Sequence, residues 1–385
     1  MTVIHVVEPF ASGVAVFVKL LTESMPDDLH IIIHGERKKV KSASAVKREF
    51  PVANVRFIKW RSATRSIDPL KDIMALTELT TILRRLKRKG LVDAVHLHSS
   101  KSGLLGRAAA RMAGIGNVFY TPNGASFLSS KHRFVRYCFG RIEKFASKLG
   151  GRVVCCSPSE LLAYQQLGID AQYISNGISA DQLKPAQARI KAGPFTIVTS
   201  GRIDDQKNPG LFDEIASYFK EMPEWKFVWI GDGRRRNLLK SPNIEVTGWL
   251  DSSEAQRLVA SSQVYLSTSR YEGLSFAVLE ALAMRKPVLL SHCTGNVDLV
   301  RMGANGDLYK SSYEAIVKLM QYRNNPEMLQ VMGAYSEAIC AADYNMEENF
   351  KGYRALYAGT WKAENWSVMS WLQALRADNV STSSI

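Results

Sequence analysis

The sequence of 385 residues contains no long hydrophobic run. Its longest apolar stretches, such as residues 13–18 and 227–231, are far shorter than the roughly 20 residues that span a bilayer. Residues 2–7 have the pattern of a first strand, without the charged leader and cleavage site of a signal peptide. We therefore expect a cytoplasmic protein whose contact with the inner face of the cytoplasmic membrane is at most peripheral.

Patterns of metal and disulfide sites are also missing. No Asp-x-Asp triplet occurs, and no group of histidines and carboxylates has the spacing of metal ligands. The cysteines are odd in number and include an adjacent pair, which is a poor framework for disulfides. We expect reduced, mostly buried thiols, no metal and no cofactor. The cysteines are Cys138, Cys155, Cys156, Cys293 and Cys340.

Acidic residues are scarce in the first half of the chain. Residues 1–185 contain 28 Lys and Arg but 14 Asp and Glu, whereas the remainder contains 22 of each. This asymmetry predicts an anionic partner, such as a phosphorylated lipid or an anionic membrane surface; a surface that is merely solubilising is the alternative. Nucleic-acid binding would require basic residues interleaved with aromatics, and no such segment occurs, so we expect no nucleic-acid partner.

Short β-branched runs alternate with longer amphipathic stretches, which predicts parallel sheets covered by helices. The runs form two series, one for each predicted domain. The first series comprises residues 3–7, 29–34, 55–58, 94–98, 118–121 and 153–157, and the second comprises residues 196–200, 226–231, 244–247, 264–267 and 287–291. Between the two series, the polar segment 182–194 carries Pro185 and Pro194 and predicts the linker.

These patterns predict an α/β protein with two Rossmann-like domains. We expect an N-terminal domain at residues 1–185 and a C-terminal domain at residues 186–345. Residues 346–385 are expected to contain a helix that packs back toward the N-terminal domain, followed by a disordered, Ser-rich tail.

A helix is predicted over residues 70–89, where apolar residues recur with helical spacing and the last turn is basic. Basic residues at a helix C-terminus complement the macrodipole, so a packed helix with a solvated end is one interpretation. Contact with a membrane surface is the other. The apolar positions are Ile73, Leu76, Leu79, Ile82, Leu83 and Leu86.

Two glutamates, Glu272 and Glu280, frame the strongest motif, a loop that follows a predicted strand and feeds a helix. The N–H groups of Gly273, Leu274 and Ser275 are predicted to form the helix N-terminus, where unpaired donors and the dipole hold a diphosphate. Ionised carboxylates accept hydrogen bonds from two hydroxyls of one sugar ring. The segment therefore predicts a site for a phosphorylated sugar ligand.

A second motif, Gly201-Arg202 followed by Lys207, comes directly after a strand. It places two cations at the carboxyl edge of a parallel sheet, where α/β proteins bind ligands. Arg presents a fork to phosphate oxygens and Lys a point charge, so the pair is suited to neutralise a diphosphate without a metal. Two ordinary surface cations are the alternative.

Two strand ends carry glycines that permit close approach of a ligand to the backbone. One is Gly231-Asp232-Gly233, and the other is Gly248-Trp249, where the indole offers a shelf for a base. Neither pattern is specific by itself.

In this order the motifs resemble glycosyltransferase family 4, whose retaining members have the two-domain GT-B fold with parallel sheets facing a central cleft. The resemblance implies a nucleotide-sugar donor, with UDP or GDP as the nucleotide. It implies that Glu272 contacts the donor sugar, Glu280 the ribose, and Arg202 with Lys207 the diphosphate. It further implies a glycan acceptor linked to polyprenyl diphosphate, as in bacterial capsule, exopolysaccharide or lipopolysaccharide synthesis.

The N-terminal half resembles the family more loosely. Ser12 and Gly13 correspond to the glycine-containing first loop, with one glycine where two are usual. Gly13 is a candidate for donor binding, and Ser12, His98 and Lys101 are candidates for the acceptor side. A structural role is the alternative for His98, a lone histidine at a strand end. Asn123 stands where many relatives have a histidine that faces the donor sugar, and it cannot titrate near neutral pH.

The resulting hypothesis is metal-independent transfer with retention of anomeric configuration. Arg202, Lys207 and the backbone donors after Glu272 would stabilise the charge that develops on the diphosphate. A sugar-nucleotide epimerase or hydrolase of the same fold is one alternative. A non-catalytic nucleotide-sugar-binding protein is another, since Asn123 supplies no base.

Overall fold

The computed structural model describes residues 1–8, 10–35, 43–51, 53–64, 68–129, 132–179 and 193–361. The chain forms two compact units. The first combines Met1–Asn176 with the described part of Met346–Asn365, and the second contains Gly177–Asn345. Most of the predicted linker 182–194 and the whole Ser-rich tip 380–385 lie outside the described residues.

The N-terminal unit contains a seven-stranded parallel sheet in the order β3-β2-β1-β4-β5-β6-β7. Its strands are β1 (Thr2–Val7), β2 (Leu29–His34), β3 (Val55–Lys59), β4 (Ala94–His98), β5 (Val118–Thr121), β6 (Arg152–Cys155) and β7 (Ala171–Tyr173). Its helices are α1 (Ser12–Glu23), α2 (Ala43–Lys47), α3 (Pro69–Arg88), α4 (Ser100–Met112), α5 (Arg133–Ser147), α6 (Pro158–Gln166) and, from the end of the chain, α12 (Met346–Tyr357).

The C-terminal unit contains a six-stranded parallel sheet in the order β10-β9-β8-β11-β12-β13. Its strands are β8 (Phe195–Ser200), β9 (Trp225–Ile230), β10 (Ile244–Gly248), β11 (Val264–Ser267), β12 (Val288–Ser291) and β13 (Gly306–Tyr309). Its helices are α7 (Pro209–Tyr218), α8 (Ser252–Ser261), α9 (Phe276–Ala283), α10 (Ser312–Asn324) and α11 (Pro326–Asp343).

The prediction of an α/β fold with two parallel sheets is confirmed. All eleven predicted strands are present, with ends that differ by at most two residues. Two strands were not predicted, β7 and β13, and both lie at a sheet edge. Their sequences, Ala-Gln-Tyr and Gly-Asp-Leu-Tyr, are short and contain no β-branched residue, so they carry no strand signal.

The two faces of the N-terminal sheet bury different side chains because neighbouring residues of a strand point to opposite faces. One face is apolar: Ile4, Val6 and Leu97 form a core with Leu79 and Leu83 of α3. The opposite face carries His5 and His96, whose rings lie near each other, and His96 also packs near Phe17 of α1 and Tyr353 of α12.

Helix α12 packs on this second face through aromatic contacts. Phe350 and Tyr353 lie against Phe17 of α1, with ring centroids 5.7 Å apart in both pairs. The Tyr357 hydroxyl lies 2.6 Å from Nδ1 of His96. The chain therefore returns at Met346 to complete the N-terminal unit.

Helix α3 begins one residue earlier than predicted, because Pro69 occupies its first turn and Asp68 caps it. Its buried side includes Leu79, Leu83 and Leu86, as the spacing predicted. Ile73, which shares the helical spacing of these apolar residues, is 59% exposed. The first turns of α3 thus present apolar side chains to solvent.

Candidate active site

The carboxyl ends of β8 and β11 mark the point where the connections of the C-terminal sheet diverge. The chain passes from β8 outward to β9, and from β11 outward to β12 on the other side. Open parallel sheets bind ligands in the crevice at such a switch point. The two strongest sequence motifs are the loops that follow these two strands.

Lys207 and Glu272 meet at this crevice. Nζ of Lys207 lies 2.8 Å from Oε1 of Glu272, and both side chains are largely buried. Nε2 of Gln206 donates to the other carboxylate oxygen, Oε2, at 3.3 Å. Burial alone would lower the pKa of Lys207, but the Glu272 carboxylate, together with Tyr265 and Asp204, more than offsets it, so the pKa is raised. Lys207 is therefore a fixed cation, and Gln206 is a residue of the site that the motif analysis did not single out.

Glycines let the loops after β8 and β9 approach closely. A Cβ at Gly231 would lie 2.2 Å from the carbonyl oxygen of Gly201, and both glycines have a positive φ. The indole of Trp229 donates to that same carbonyl at 3.0 Å. The loop that carries Arg202 is thereby held against its neighbour, and Arg202 pairs with Asp204 at 3.4 Å.

The other residues of this sheet edge that were predicted to bind the donor lie on the loops after β9 and β10, farther from the switch point. Gly248 at the end of β10 bridges to Gly231, and Trp249 beside it is exposed. Asp232 accepts from its own neighbour Gly233 N–H at 2.7 Å and pairs with Arg236. The exposed indole is available as a flat apolar surface at this end of the edge.

Helix α9 begins beside the Lys207–Glu272 pair. Ser275 is its N-cap residue, but in the described part of the chain its hydroxyl forms no capping hydrogen bond, so the N–H groups of the first turn have no partner from such a cap. Gly295 packs tightly on Glu272, since a Cβ there would lie 2.7 Å from Cβ of Glu272. This fixes the turn that precedes the helix.

Glu280 lies one turn from the end of α9. Burial raises its pKa to about 7. Among the described residues, no side chain forms a hydrogen bond with its carboxylate. A partly buried acceptor without a protein donor is suited to receive hydroxyl groups of a ligand.

The predicted residues of the N-terminal unit lie at the carboxyl ends of three neighbouring strands, β1, β4 and β5. The position predicted for Ser12 and Gly13 is corrected: they are the first two residues of α1 and not part of the preceding loop. No atom of the described residues would lie within 4 Å of a Cβ on Gly13, so none of them requires a glycine there.

Asn123 adopts the left-handed backbone conformation, with φ of 54°, which asparagine tolerates well. Its amide nitrogen donates to the carbonyl of Thr121 at 3.3 Å, and its Oδ1 accepts from the Cys156 thiol at 3.6 Å. Lys101 forms an ion pair with Asp72 of α3 at 2.6 Å, so its charge is balanced within the unit.

His98 belongs to a buried chain of histidines. His30 Nε2 donates to the Met25 carbonyl, so its Nδ1 accepts from His5 Nε2, 3.0 Å away. His5 Nδ1 in turn accepts from His98 Nε2 at 3.1 Å. Burial lowers the pKa of His5, His98 and His30, which keeps the rings neutral. With the hydrogen bonds running in this direction, Nδ1 of His98 is a buried acceptor that receives no hydrogen bond in the described part of the chain.

Ligand nitrogens of His5, His96 and His98 lie within 4.8 Å of one another, a grouping that could hold a metal ion. The sequence shows no ligand spacing for this group, because only the pairing of β1 with β4 brings His5 next to His96 and His98. His96 already contacts the hydroxyls of Tyr357 and Thr121 at 2.6 and 2.7 Å. Existing hydrogen bonds thus compete with metal coordination.

Comparisons with known proteins identify the family. Residues 3–182 match the family model described as Glycosyltransferase Family 4, and residues 194–322 match the one described as Glycosyl transferases group 1. The chain belongs to glycosyltransferase family 4. The enzyme's two matched regions correspond to its two units, and the second contains Lys207, Glu272 and Glu280.

Curated relatives of this glycosyltransferase include two enzymes with named activities. The UDP-Gal:alpha-D-GlcNAc-diphosphoundecaprenol alpha-1,3-galactosyltransferase of Escherichia coli is 28% identical, covering 76% of this chain and 81% of its own length. The alpha-monoglucosyldiacylglycerol synthase of Acholeplasma laidlawii is 23% identical, covering 91% and 94%.

Solved structures share the fold. The sucrose-phosphate synthase of Thermosynechococcus elongatus has a TM-score of 0.76 and 17% identity, over 93% of this chain and all of its own. HepE of Anabaena, in complex with UDP and glucose, has a TM-score of 0.75 and 15% identity over the same shares. The glycosyltransferase therefore has the GT-B fold. Among its described residues, no helix combines the length and hydrophobicity needed to cross a bilayer.

Proposed function

We propose that this glycosyltransferase transfers a hexose from a UDP-sugar to a glycan linked to polyprenyl diphosphate, in the synthesis of a bacterial surface polysaccharide. The observation that carries the donor assignment is the Lys207–Glu272 pair beside the uncapped start of α9. It combines a cation, backbone donors and a carboxylate at one sheet edge, as a diphosphate joined to a sugar requires. The names of the Escherichia coli relative and of the HepE complex support UDP and the lipid diphosphate.

The proposed reaction forms a bond between the acceptor oxygen and the anomeric carbon, and breaks the bond from that carbon to the diphosphate oxygen. The acceptor hydroxyl attacks from the face that the diphosphate leaves, and its proton passes to the leaving phosphate oxygen. Lys207 and Arg202 balance the charge that develops on the diphosphate. Because this scheme needs no side-chain base, Asn123 is compatible with it, and metal independence is part of the proposal.

Charge in the N-terminal unit supports an anionic acceptor. The net excess of basic residues lies within residues 1–185. A diphosphate on a lipid, together with anionic lipid around it, supplies the opposite charge. We therefore place the working enzyme at the cytoplasmic membrane surface as a peripheral protein.

Glu280 provides a test of the donor assignment through pH. Its carboxylate accepts ribose hydroxyls when ionised, so affinity for UDP-galactose should fall as pH decreases from about 8 to about 6, through its pKa of about 7. The Glu280→Gln variant should bind about tenfold more weakly at the higher pH and lose this pH dependence. Titration calorimetry without metal measures both.

A matched control is Glu245→Gln, which alters an exposed carboxylate of β10 that pairs with Lys226. It should bind UDP-galactose as the wild-type enzyme does. Wild-type affinity in the Glu280→Gln variant at the higher pH would contradict the ribose assignment. Tighter binding of GDP-sugars than of UDP-sugars would contradict the choice of nucleotide.

A further inference from the structure

Helix α5 exposes most of its large apolar side chains. Its fully buried side consists of Gly140, Glu143 and Ala146, which are small or charged. Three of its aromatic residues are exposed instead: Phe134 by 76%, Tyr137 by 63% and Phe145 by 61%. A surface helix normally turns its apolar stripe to the core, so an outward aromatic stripe indicates a second contact surface.

The exposed side chains form one continuous stripe. Residues 134, 137, 141 and 145 follow one another at steps of three or four, which places them on the same side of a helix. We call this surface the α5 face; it consists of Phe134, Tyr137, Arg141, Ile142 and Phe145. Every one of them is exposed.

The opposite side of α5 is firmly attached to the unit. Glu143 forms a buried ion pair with Arg107 of α4 at 3.2 Å. The Arg107 guanidinium in turn lies 4.2 Å from the centre of the Tyr120 ring. Because this buried pair fixes the rotation of α5, the helix cannot turn its aromatic stripe inward without leaving two charges unpaired.

Charge selects the partner of the α5 face. The helix carries Arg133, Arg136, Arg141 and Lys144, all exposed, and its single acidic residue is the buried Glu143. A second copy of the chain would bring two such basic faces together and be repelled. An anionic lipid surface instead attracts the cations and accepts the aromatic rings at the level of the headgroups.

Helix α3 supplies a second apolar surface on the same side of the sheet. Leu70, Ile73 and Met74 are exposed in its first turns, and its buried residues join the core that also contains residues of α4. Phe139 of α5 packs against that same core. The exposed apolar residues of α3 and α5 therefore belong to helices that cover one face of the sheet.

We propose that the α5 face docks this glycosyltransferase on an anionic lipid bilayer, with Phe134, Tyr137 and Phe145 inserted among the headgroups and the flanking cations at the lipid phosphates. The inference deepens the proposed function, on which it rests for the lipid-linked acceptor. It identifies α5, and not the basic end of α3, as the principal contact.

Vesicle co-sedimentation of the full chain tests the proposal. The wild-type protein should bind vesicles that contain phosphatidylglycerol and phosphatidylcholine, bind vesicles of phosphatidylcholine alone much more weakly, and be released by added salt. The Phe134→Ser/Phe145→Ser variant should bind the anionic vesicles at least about tenfold more weakly. Neither substitution touches the core, so UDP-galactose binding should be unchanged.

The control is Tyr313→Ser/Tyr335→Ser, which removes two exposed aromatics from helices of the C-terminal unit and should leave vesicle binding unchanged. Equal binding by the α5 variant and the wild type would overturn the proposal, as would the absence of wild-type binding. A wild-type dimer that the α5 variant dissociates would make the face a self-interface and also overturn it. Vesicle binding without UDP-galactose binding would contradict the proposed function and leave the docking surface intact.

Discussion

Replacing Lys207 by Ala is expected to lower the turnover of sugar transfer by a factor of about 100 to 1,000. The loss of one preorganised hydrogen-bond donor that stabilises developing negative charge has an effect of this size in other enzymes. The ammonium group lies at the switch point, 2.8 Å from Glu272, and is held charged by that carboxylate. Its proposed role is to balance charge that appears on the diphosphate in the transition state. Turnover and kcat/KM should therefore fall together.

Two variants separate this role from a structural one. Lys226→Ala removes a lysine of the same unit that pairs with Glu245 at the surface, and it should leave turnover unchanged. Lys207→Met/Glu272→Gln removes both charges of the buried pair and should remain folded but inactive. Steady-state kinetics and thermal melting measure these outcomes. Turnover of Lys207→Ala within about threefold of the wild type would contradict the assignment.

Acidification is expected to destabilise the N-terminal unit steeply. The pKa values of His5, His96, His98 and His30 are lowered by burial, so the folded unit keeps the rings neutral while the unfolded chain protonates them near pH 6.5. The unfolding free energy therefore has its full value above the pKa of histidine in the unfolded chain, and it decreases as the pH falls below that pKa. The loss is about 1.4 kcal/mol per pH unit for each histidine that stays neutral.

Urea unfolding at about pH 7.5 and about pH 5.5 measures this dependence. His5→Gln retains a donor and an acceptor for its two neighbours. It should reduce the pH slope of the unfolding free energy by up to the contribution of one proton, about 1.4 kcal/mol per pH unit. His292→Gln makes the same change at an exposed position of the C-terminal unit and is the matched control. An unchanged slope in His5→Gln, or greater stability at the lower pH, would contradict the account.

Most of the sheet architecture could be predicted because each central strand is a compact β-branched run followed by a helical pattern. The edge strand β13 could not, since Gly-Asp-Leu-Tyr contains no β-branched residue and joins the sheet by pairing with β12. The donor-side residues were predictable for a related reason: Lys207 and Glu272 each follow a strand end. Their direct pairing was not, because it depends on β8 and β11 being neighbours in the sheet.

The histidine chain and the α5 face were beyond local sequence reasoning. His5 and His98 are 93 residues apart, and only the pairing of β1 with β4 brings them together. The amphipathic pattern of α5 would normally predict a core-facing aromatic stripe. The rotation observed is set by the buried Arg107–Glu143 pair, a contact between residues 36 positions apart.

The most direct test of the central claim is a transfer assay with UDP-galactose and a synthetic lipid diphosphate that carries N-acetylglucosamine, in the presence of a chelator. The proposed function predicts one UDP released for each labelled sugar that enters the lipid, with the α anomer of the donor retained in the product. UDP release without transfer to the lipid, an inverted product, or activity restored only by added metal would each contradict it.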